Sequence, residues 1–176
     1  MSKMLIIIIV LPLLLFAQDE NVTSKWEPFN FLIEKWEGTG IGKWGESKVT
    51  REYEYIMGRT FILGKNRSVY KKQEKNPQGE IHDNWNIFSY DKARKKYVLR
   101  QFHGEDITNI YSADSSDVAI GKFEFETEKI ENFRPGWQAK EIYKIINDNE
   151  FIEIFYLAAP EEEYTEYVRG TFKKVK

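Results

Sequence analysis

The chain has 176 residues, a length that suits one domain with a sizeable core, and its formal net charge is −2. This near-neutral balance argues against nucleic acid as the main partner. Cysteine is absent, which excludes disulfide bonds and the acylated cysteine of a lipoprotein, so the fold must be held together by its core.

The first eighteen residues have the pattern of a secretory signal peptide. Lys3 precedes an almost wholly apolar run from Met4 to Phe16, which is short for a membrane span. We therefore expect cleavage after Ala17 or Gln18, export to the periplasm or the extracellular space, and no membrane span in the mature protein. An uncleaved N-terminal anchor is the alternative interpretation.

A flexible lead-in over residues 19–27 is expected to precede a single domain over 28–176. That domain opens on a short helix near 28–35. Apolar residues between Phe29 and Trp36 recur at helical spacing, and proline at position 28 suits a first helical turn.

The helical period then gives way to glycine at every second residue. Gly38, Gly40 and Gly42 share one face of a strand. Glycine weakens a strand, so a row of it indicates a sharp bend or a close backbone approach, and a closing barrel needs such a feature.

Short runs rich in aromatic and β-branched residues follow, separated by turn signals. Asn76 to Gly79, for example, has asparagine first, proline second and glycine fourth, which favours a type I turn. Many short strands with no long helical pattern predict an all-β sandwich or barrel. The predicted strands lie near 37–44, 48–57, 60–71, 81–90, 96–103, 107–113, 118–127, 138–146, 150–157 and 164–174.

Residues with catalytic or metal-binding chemistry are few. His82 and His103 are the only histidines and cysteine is absent, so we expect no His/Cys zinc site and no other metal site. A Ser-His-Asp triad lacks the supporting Gly-x-Ser-x-Gly motif. Carboxylates mostly alternate with aromatic residues, which predicts a solvent-facing position rather than a paired-carboxylate active site. They include Glu52, Glu54, Glu124, Glu126, Glu141, Glu153 and Glu161 to Glu163.

The aromatic content is more informative, with five Trp, ten Tyr and twelve Phe. A closed barrel of ten strands is wide enough to enclose a cavity, and an aromatic-lined cavity with a few polar groups is typical of small-molecule sites. Aromatic residues that pack a dry core are the competing interpretation.

Several segments together resemble the nitrobindin-like haem-binding barrels and related lipocalin-like bacterial domains of unknown function. The likeness begins at Trp36-Glu-Gly-Thr-Gly40 and spans nearly the whole predicted domain. Its further segments are Gly79 to Asp83, Phe88 to Asp91, Tyr97 to Gly104, Glu150 to Glu153 and Tyr167 to Arg169.

This resemblance implies a ten-stranded antiparallel calycin-like barrel with a short capping helix. In calycins, a first-strand tryptophan packs against a last-strand arginine, and Trp36 and Arg169 match those positions. Haem-binding members hold iron with a last-strand histidine and carry a second histidine across the pocket. His82 matches the second histidine, but the last strand here has none, so Tyr167 or His82 would have to bind the iron.

Three functions follow as hypotheses. The first is an exported, non-enzymatic barrel that binds a small hydrophobic molecule without a cofactor. The second is a nitrobindin-like haem enzyme that acts on reactive nitrogen species. The third is an envelope protein with a filled barrel and no ligand. The expected ligand-binding residues are His82, His103, Arg100, Tyr53, Trp85, Tyr111 and Tyr167. Because Arg100 has the opposite strand parity to His103, both face inward only if a bulge intervenes.

Overall fold

The computed structural model describes residues 25–118 and 121–176. The predicted signal peptide lies outside these residues. Glu27–Leu32 forms a 3₁₀ helix, which is shorter than the helix predicted over 28–35. The difference arises because Ile33 is already extended and the first strand begins at Glu34, so Trp36 lies on a strand and not on the helix. No helix within the described part of the chain has the length and apolarity to cross a membrane.

Ten antiparallel strands close into a barrel, which confirms the predicted fold class. Each strand pairs with its neighbours in sequence, and the first strand closes on the last. The strands are β1 (Glu34–Gly42), β2 (Gly45–Ile56), β3 (Phe61–Tyr70), β4 (Glu80–Asp91), β5 (Lys96–His103), β6 (Thr108–Asp114), β7 (Lys122–Glu131), β8 (Gln138–Asn147), β9 (Glu150–Ala158) and β10 (Thr165–Lys174).

The strand predictions differ most at β7, which begins four residues later than predicted. The strand begins only after Gly121, where φ is 111°. The predicted turn between β3 and β4 is present, since the Gly79 amide donates to the Asn76 carbonyl at 3.2 Å. Gly79 has a φ of 70°, a conformation that glycine adopts without steric cost.

The glycine row of β1 lies at the barrel seam. Gly38 is paired with Phe172 of β10. A Cβ at position 38 would lie 2.2 Å from the Thr171 carbonyl oxygen and 2.9 Å from the Phe172 ring. The expected close backbone approach is therefore present, and it lets the Phe172 ring lie directly against the β1 backbone.

The predicted contact between Trp36 and Arg169 is wrong. Trp36 is buried, but its partner across the seam is Lys174, whose Nζ lies 5.3 Å from the indole centroid. Arg169 pairs with Ile41 near the other end of β1, and its guanidinium binds Glu166. The register of β1 against β10 separates the two residues by five positions.

The 3₁₀ helix closes one end of the barrel. Phe29 is completely buried, and its ring lies 4.6 Å from that of Phe123 and 4.8 Å from that of Tyr97. Trp26, which the sequence analysis assigns to the lead-in, is also buried and donates from Nε1 to the Arg59 carbonyl at 2.9 Å. The aromatic core at this closed end comprises Trp26, Phe29, Trp36, Phe88, Tyr97, Phe123, Phe125, Phe151 and Phe172.

Candidate ligand-binding cavity

The other end of the barrel is open to a cavity of about 300 Å³. This volume lies at the lower limit for sites that hold drug-sized molecules. Two sides of the cavity differ in polarity. An apolar wall comes from β7 to β10 and consists of Ile130, Ala139, Phe155, Leu157 and Val168. A polar wall comes from β3 to β6 and consists of Ser68, Asn84, Gln101, His103 and Asn109.

Arg51, Glu141 and Glu153 form a polar layer between the cavity and the aromatic core. Both Nε and Nη2 of Arg51 donate to Oε2 of Glu153, at 3.2 and 3.0 Å. The guanidinium also lies 5.1 Å from the centroid of the Phe172 ring. Side-chain exposure is only 11% for Arg51 and 7% for Glu153, so this ion pair is held in a largely dehydrated setting.

The two carboxyls of the polar layer are shifted in opposite directions. Burial raises the pKa of Glu141 well above its ordinary value, and the charge of Glu153 raises it further. Burial would also raise the pKa of Glu153, but the charge of Arg51 and the hydrogen bonds that Arg51 donates to this carboxylate lower it overall. The layer therefore pairs a cationic Arg51 with the carboxylate of Glu153, whereas burial favours the protonated form of Glu141.

Hydrogen-bonding capacity remains unused in and below this layer. The buried Nη1 of Arg51 has no hydrogen-bond partner among the described residues, and neither amide atom of Asn86 has one. The hydroxyls of Tyr53 and Tyr143 are likewise unpartnered within the described chain. A buried donor without a partner costs on the order of 1–3 kcal/mol. Because Arg51 lines the cavity, a bound molecule that reached Nη1 would recover this cost.

A chain of hydrogen-bonding side chains runs along the mouth of the cavity. Nδ1 of His82 lies 2.7 Å from Oε1 of Glu105, and Nε2 of His82 lies 3.3 Å from Nδ1 of His103. Nε2 of His103 is 3.2 Å from Nδ2 of Asn109, which also donates to the Tyr111 hydroxyl at 2.9 Å. Burial, together with the charge of His82, lowers the pKa of His103 to about 4. His103 is therefore neutral at physiological pH.

A β-bulge in β10 places Tyr167 at the mouth. The register of β10 on β9 shifts between Glu166 and Val168, so Tyr167 and Val168 both line the cavity although they are adjacent. The Tyr167 hydroxyl accepts a hydrogen bond from Nε1 of Trp44 at 2.6 Å. Its ring packs edge-on against Phe155 at 5.7 Å.

The predicted site residues fall into three groups. His82, His103 and Tyr167 line the cavity. Tyr53 and Tyr111 are buried in the interior but do not line it.

Arg100 and Trp85 lie on the outer face, which corrects their assignment as ligand-binding residues. Arg100 donates from Nη1 to Oγ of Ser89 at 3.0 Å, and Trp85 is 56% exposed beside Phe102. The physical reason is strand parity, because β4 and β5 pair through these positions without a register shift.

Arg51, Glu141 and Glu153 were missed because charged residues were expected on the solvent face. The alternation of residues along each strand nevertheless indicated that their side chains face inward. Arg51 is two residues from the inward-facing Tyr53, and Glu153 lies midway between Phe151 and Phe155. An apolar alternation interrupted by a single charge on the inward face therefore identifies a buried ionisable group.

Comparisons with known proteins support the fold alone. The crystal structure of Rv2717c from M. tuberculosis is similar, with a TM-score of 0.64 and 15% sequence identity over 86% of this chain and 98% of that chain. A redesigned β-barrel gives a TM-score of 0.45 and 7% identity over 83% of this chain and 93% of its own. No family model and no curated protein matches the sequence. The likeness to Rv2717c supports the closed antiparallel barrel fold.

Proposed function

We propose that the barrel binds a small amphipathic molecule, with a hydrogen-bond acceptor against the polar layer and an apolar surface against the apolar wall. The observation that carries this proposal is a cavity with walls of unequal polarity that is lined by Arg51, whose buried Nη1 has no hydrogen-bond partner in the described chain. The ligand is thus more polar at its inner end than the hydrophobic molecule expected from sequence.

The charge of the polar layer favours an uncharged acceptor. Arg51 is already neutralised by Glu153, and burial favours the uncharged form of Glu141. An additional anion would be buried without a counter-charge, which is costly, whereas a carbonyl or hydroxyl oxygen would accept from Nη1 at little electrostatic cost. We therefore favour a compact molecule with a ketone, amide or hydroxyl group at one end.

Haem fits this cavity less well than such a molecule. The polar layer would place an ion pair and a carboxylic acid against the macrocycle, and the cavity of about 300 Å³ is small for it. Of the two proposed iron ligands, Tyr167 has its hydroxyl engaged by Trp44, and His82 is held by Glu105. A saturable Soret band on titration with ferric haem, lost in Tyr167→Phe or His82→Ala, would instead support the haem hypothesis.

The binding proposal is tested with prodan, a neutral naphthalene probe that carries a ketone and has solvent-sensitive emission. We expect saturable binding of one probe per chain with blue-shifted emission. Gln101→Ala alters the polar wall and should weaken binding about tenfold, equivalent to about 1.4 kcal/mol.

Arg100→Ala is a matched control, since Arg100 is adjacent on β5 but faces outward. Equal weakening by both variants, or emission that never saturates, would contradict the proposed cavity site. Native mass spectrometry of protein purified from its own source would then identify any co-purified molecule. Repeated absence of any bound molecule would favour an envelope protein with no ligand.

A further inference from the structure

The mouth of the cavity carries a second constellation, formed by His82, His103 and Glu105 and hereafter called the mouth cluster. One ligand atom from each residue can be chosen so that all lie within 4.8 Å of one another. Two imidazoles and a carboxylate are the donor types that borderline divalent cations prefer. This cluster is separate from the polar layer, and its chemistry does not depend on the proposed ligand.

The spacing of the two imidazoles suits a shared ion. Nε2 of His82 and Nδ1 of His103 face each other at 3.3 Å. Two nitrogen ligands at about 2.0–2.1 Å from a tetrahedral Zn²⁺ are separated by about 3.3 Å. A small displacement of the rings would therefore admit an ion between them without a change in the strands that carry them.

The backbone holds this arrangement without a metal. The Gly104 amide donates to the Asp83 carbonyl at 2.9 Å, which joins the end of β5 to β4 next to His82. The His103 amide donates to the Ile107 carbonyl at 2.9 Å, and this bond closes the turn that carries Glu105. Because β4, β5 and this turn are already tied together, little ordering would be needed when an ion binds.

The residues around the mouth cluster leave it accessible to an ion and can orient the His103 ring. The Glu105 side chain is 43% exposed, so an ion can reach the cluster from solvent and the carboxylate has room to turn from Nδ1 of His82 toward it. Asn109 contacts the far nitrogen of His103. Rotation of this amide would present its oxygen to an Nε2–H and leave Nδ1 free to coordinate, as outer-shell groups do around metal-bound histidines.

We propose that His82, His103 and Glu105 together bind one divalent cation of the Zn²⁺ type at the mouth of the barrel. Three protein ligands leave a fourth position open, and the cavity lies beside it. A molecule in the cavity that carries a donor atom near the mouth would complete the coordination, so the ion and the molecule would be bound next to each other.

The composition of the chain makes this proposal sharply testable. His82 and His103 are its only histidines, and it has no cysteine. Imidazole-dependent metal binding by tag-free protein must therefore come from these two residues. Titration calorimetry of chelator-treated full-length protein with Zn²⁺ should give one site per chain. His82→Ala and His103→Ala should each weaken binding at least tenfold, and Glu105→Gln about tenfold.

Asp83→Asn is the matched control, because Asp83 is adjacent to His82 but pairs with Arg67 on the outer surface. It should leave Zn²⁺ affinity unchanged. Titration with Co²⁺ gives an independent readout, since visible d–d absorption should appear in the wild type and disappear in His103→Ala. Melting curves of the metal-free variants verify that each one is folded.

Absence of Zn²⁺ binding, or affinity unchanged in both histidine variants, would overturn the proposal. Unchanged affinity in Glu105→Gln would overturn the three-ligand site. Prodan binding is measured separately, with metal-free protein, and is tested at Gln101, which is not part of the mouth cluster, so the two proposals can fail separately.

Discussion

The two ends of this barrel are built from the same strands but from opposite kinds of side chain. Along β4 and β5, inward-facing residues change from apolar at the closed end to polar at the open end. In order, they are Phe88, Asn86, Asn84 and His82 on β4, and Leu99, Gln101 and His103 on β5. Alternation alone therefore fixes which residues face inward but does not determine whether the interior is filled.

The two ends of the barrel contribute differently to stability and to binding. At the closed end the interior is a continuous set of aromatic contacts around Phe29, and burial of this apolar surface stabilises the fold. In and below the polar layer, several buried polar atoms lack partners among the described residues, which costs stability unless a bound molecule satisfies them. We infer that the closed end supplies the stability that lets the rest of the interior keep unsatisfied groups.

The largest effect should come from the centre of the closed end. Phe29→Ala removes a fully buried ring that contacts Phe88, Tyr97 and Phe123. The free energy of unfolding should fall by roughly 3–5 kcal/mol. Phe102→Ala is the control, because this ring is 44% exposed on the outer face and should change stability by less than about 1 kcal/mol. Similar losses in urea unfolding of both variants would show that the closed end is not the main source of stability.

A second large effect should come from the polar layer, for an electrostatic reason. Arg51→Met removes the cation that neutralises Glu153 and leaves a buried carboxylate without a partner. The expected loss of stability is about 3 kcal/mol. Adding Glu153→Gln removes the uncompensated charge, so the double variant should be more stable than Arg51→Met alone. If urea unfolding ranks the double variant as equally or less stable, the ion pair does not control this layer.

The sequence was sufficient for the architecture because turns and strand periodicity are local. The strands of the barrel were predicted within a few residues, apart from β7, which begins at Lys122, four residues later than predicted. The seam contact was not predictable in the same way. Whether Trp36 meets Arg169 or Lys174 depends on the register of two strands that are far apart in sequence.

The same distinction between local and long-range information applies to the residues of the candidate site. His82 and His103 were identified as the only histidines, and Tyr167 was identified by its place on the last strand under the family resemblance. All three line the cavity. Glu105 was missed because it lies in a turn, and its proximity to His82 depends on a hairpin that joins β5 and β6 next to β4. The pairing of Arg51 with Glu153 was not predictable, because the two residues meet only across the closed barrel, 102 residues apart in sequence.

A moderate effect, with a defined pH dependence, is expected at Glu141. Its pKa in the folded protein is raised by burial and by Glu153, so folding favours the protonated form. That stability is fully present below the unfolded-state pKa of 4.5 and is lost as pH rises toward the folded-state pKa. Glu141→Gln mimics the protonated acid and has no such loss.

The variant should therefore equal the wild type near pH 4. It should gain relative stability by about 1.4 kcal/mol per pH unit above the unfolded-state pKa, until the folded-state pKa is reached. Urea unfolding at several pH values measures this difference. A stability difference that does not change with pH would show that Glu141 is ionised in the folded protein.

The smallest effect concerns the cations on β10, and it separates the contact seen at the seam from the one expected by resemblance. Lys174 covers the indole of Trp36 at the closed end, so Lys174→Ala should lower the free energy of unfolding by about 0.5–1 kcal/mol. Arg169 pairs with Glu166 on the exposed surface, so Arg169→Ala should change the free energy of unfolding by less than about 0.5 kcal/mol.

Since Lys174 also pairs with Glu34 at 3.4 Å, Glu34→Gln is needed to separate this pair from the cation–π contact. If Arg169→Ala proves the more destabilising variant, the register at the seam is wrong and the closed end is held as the resemblance implied.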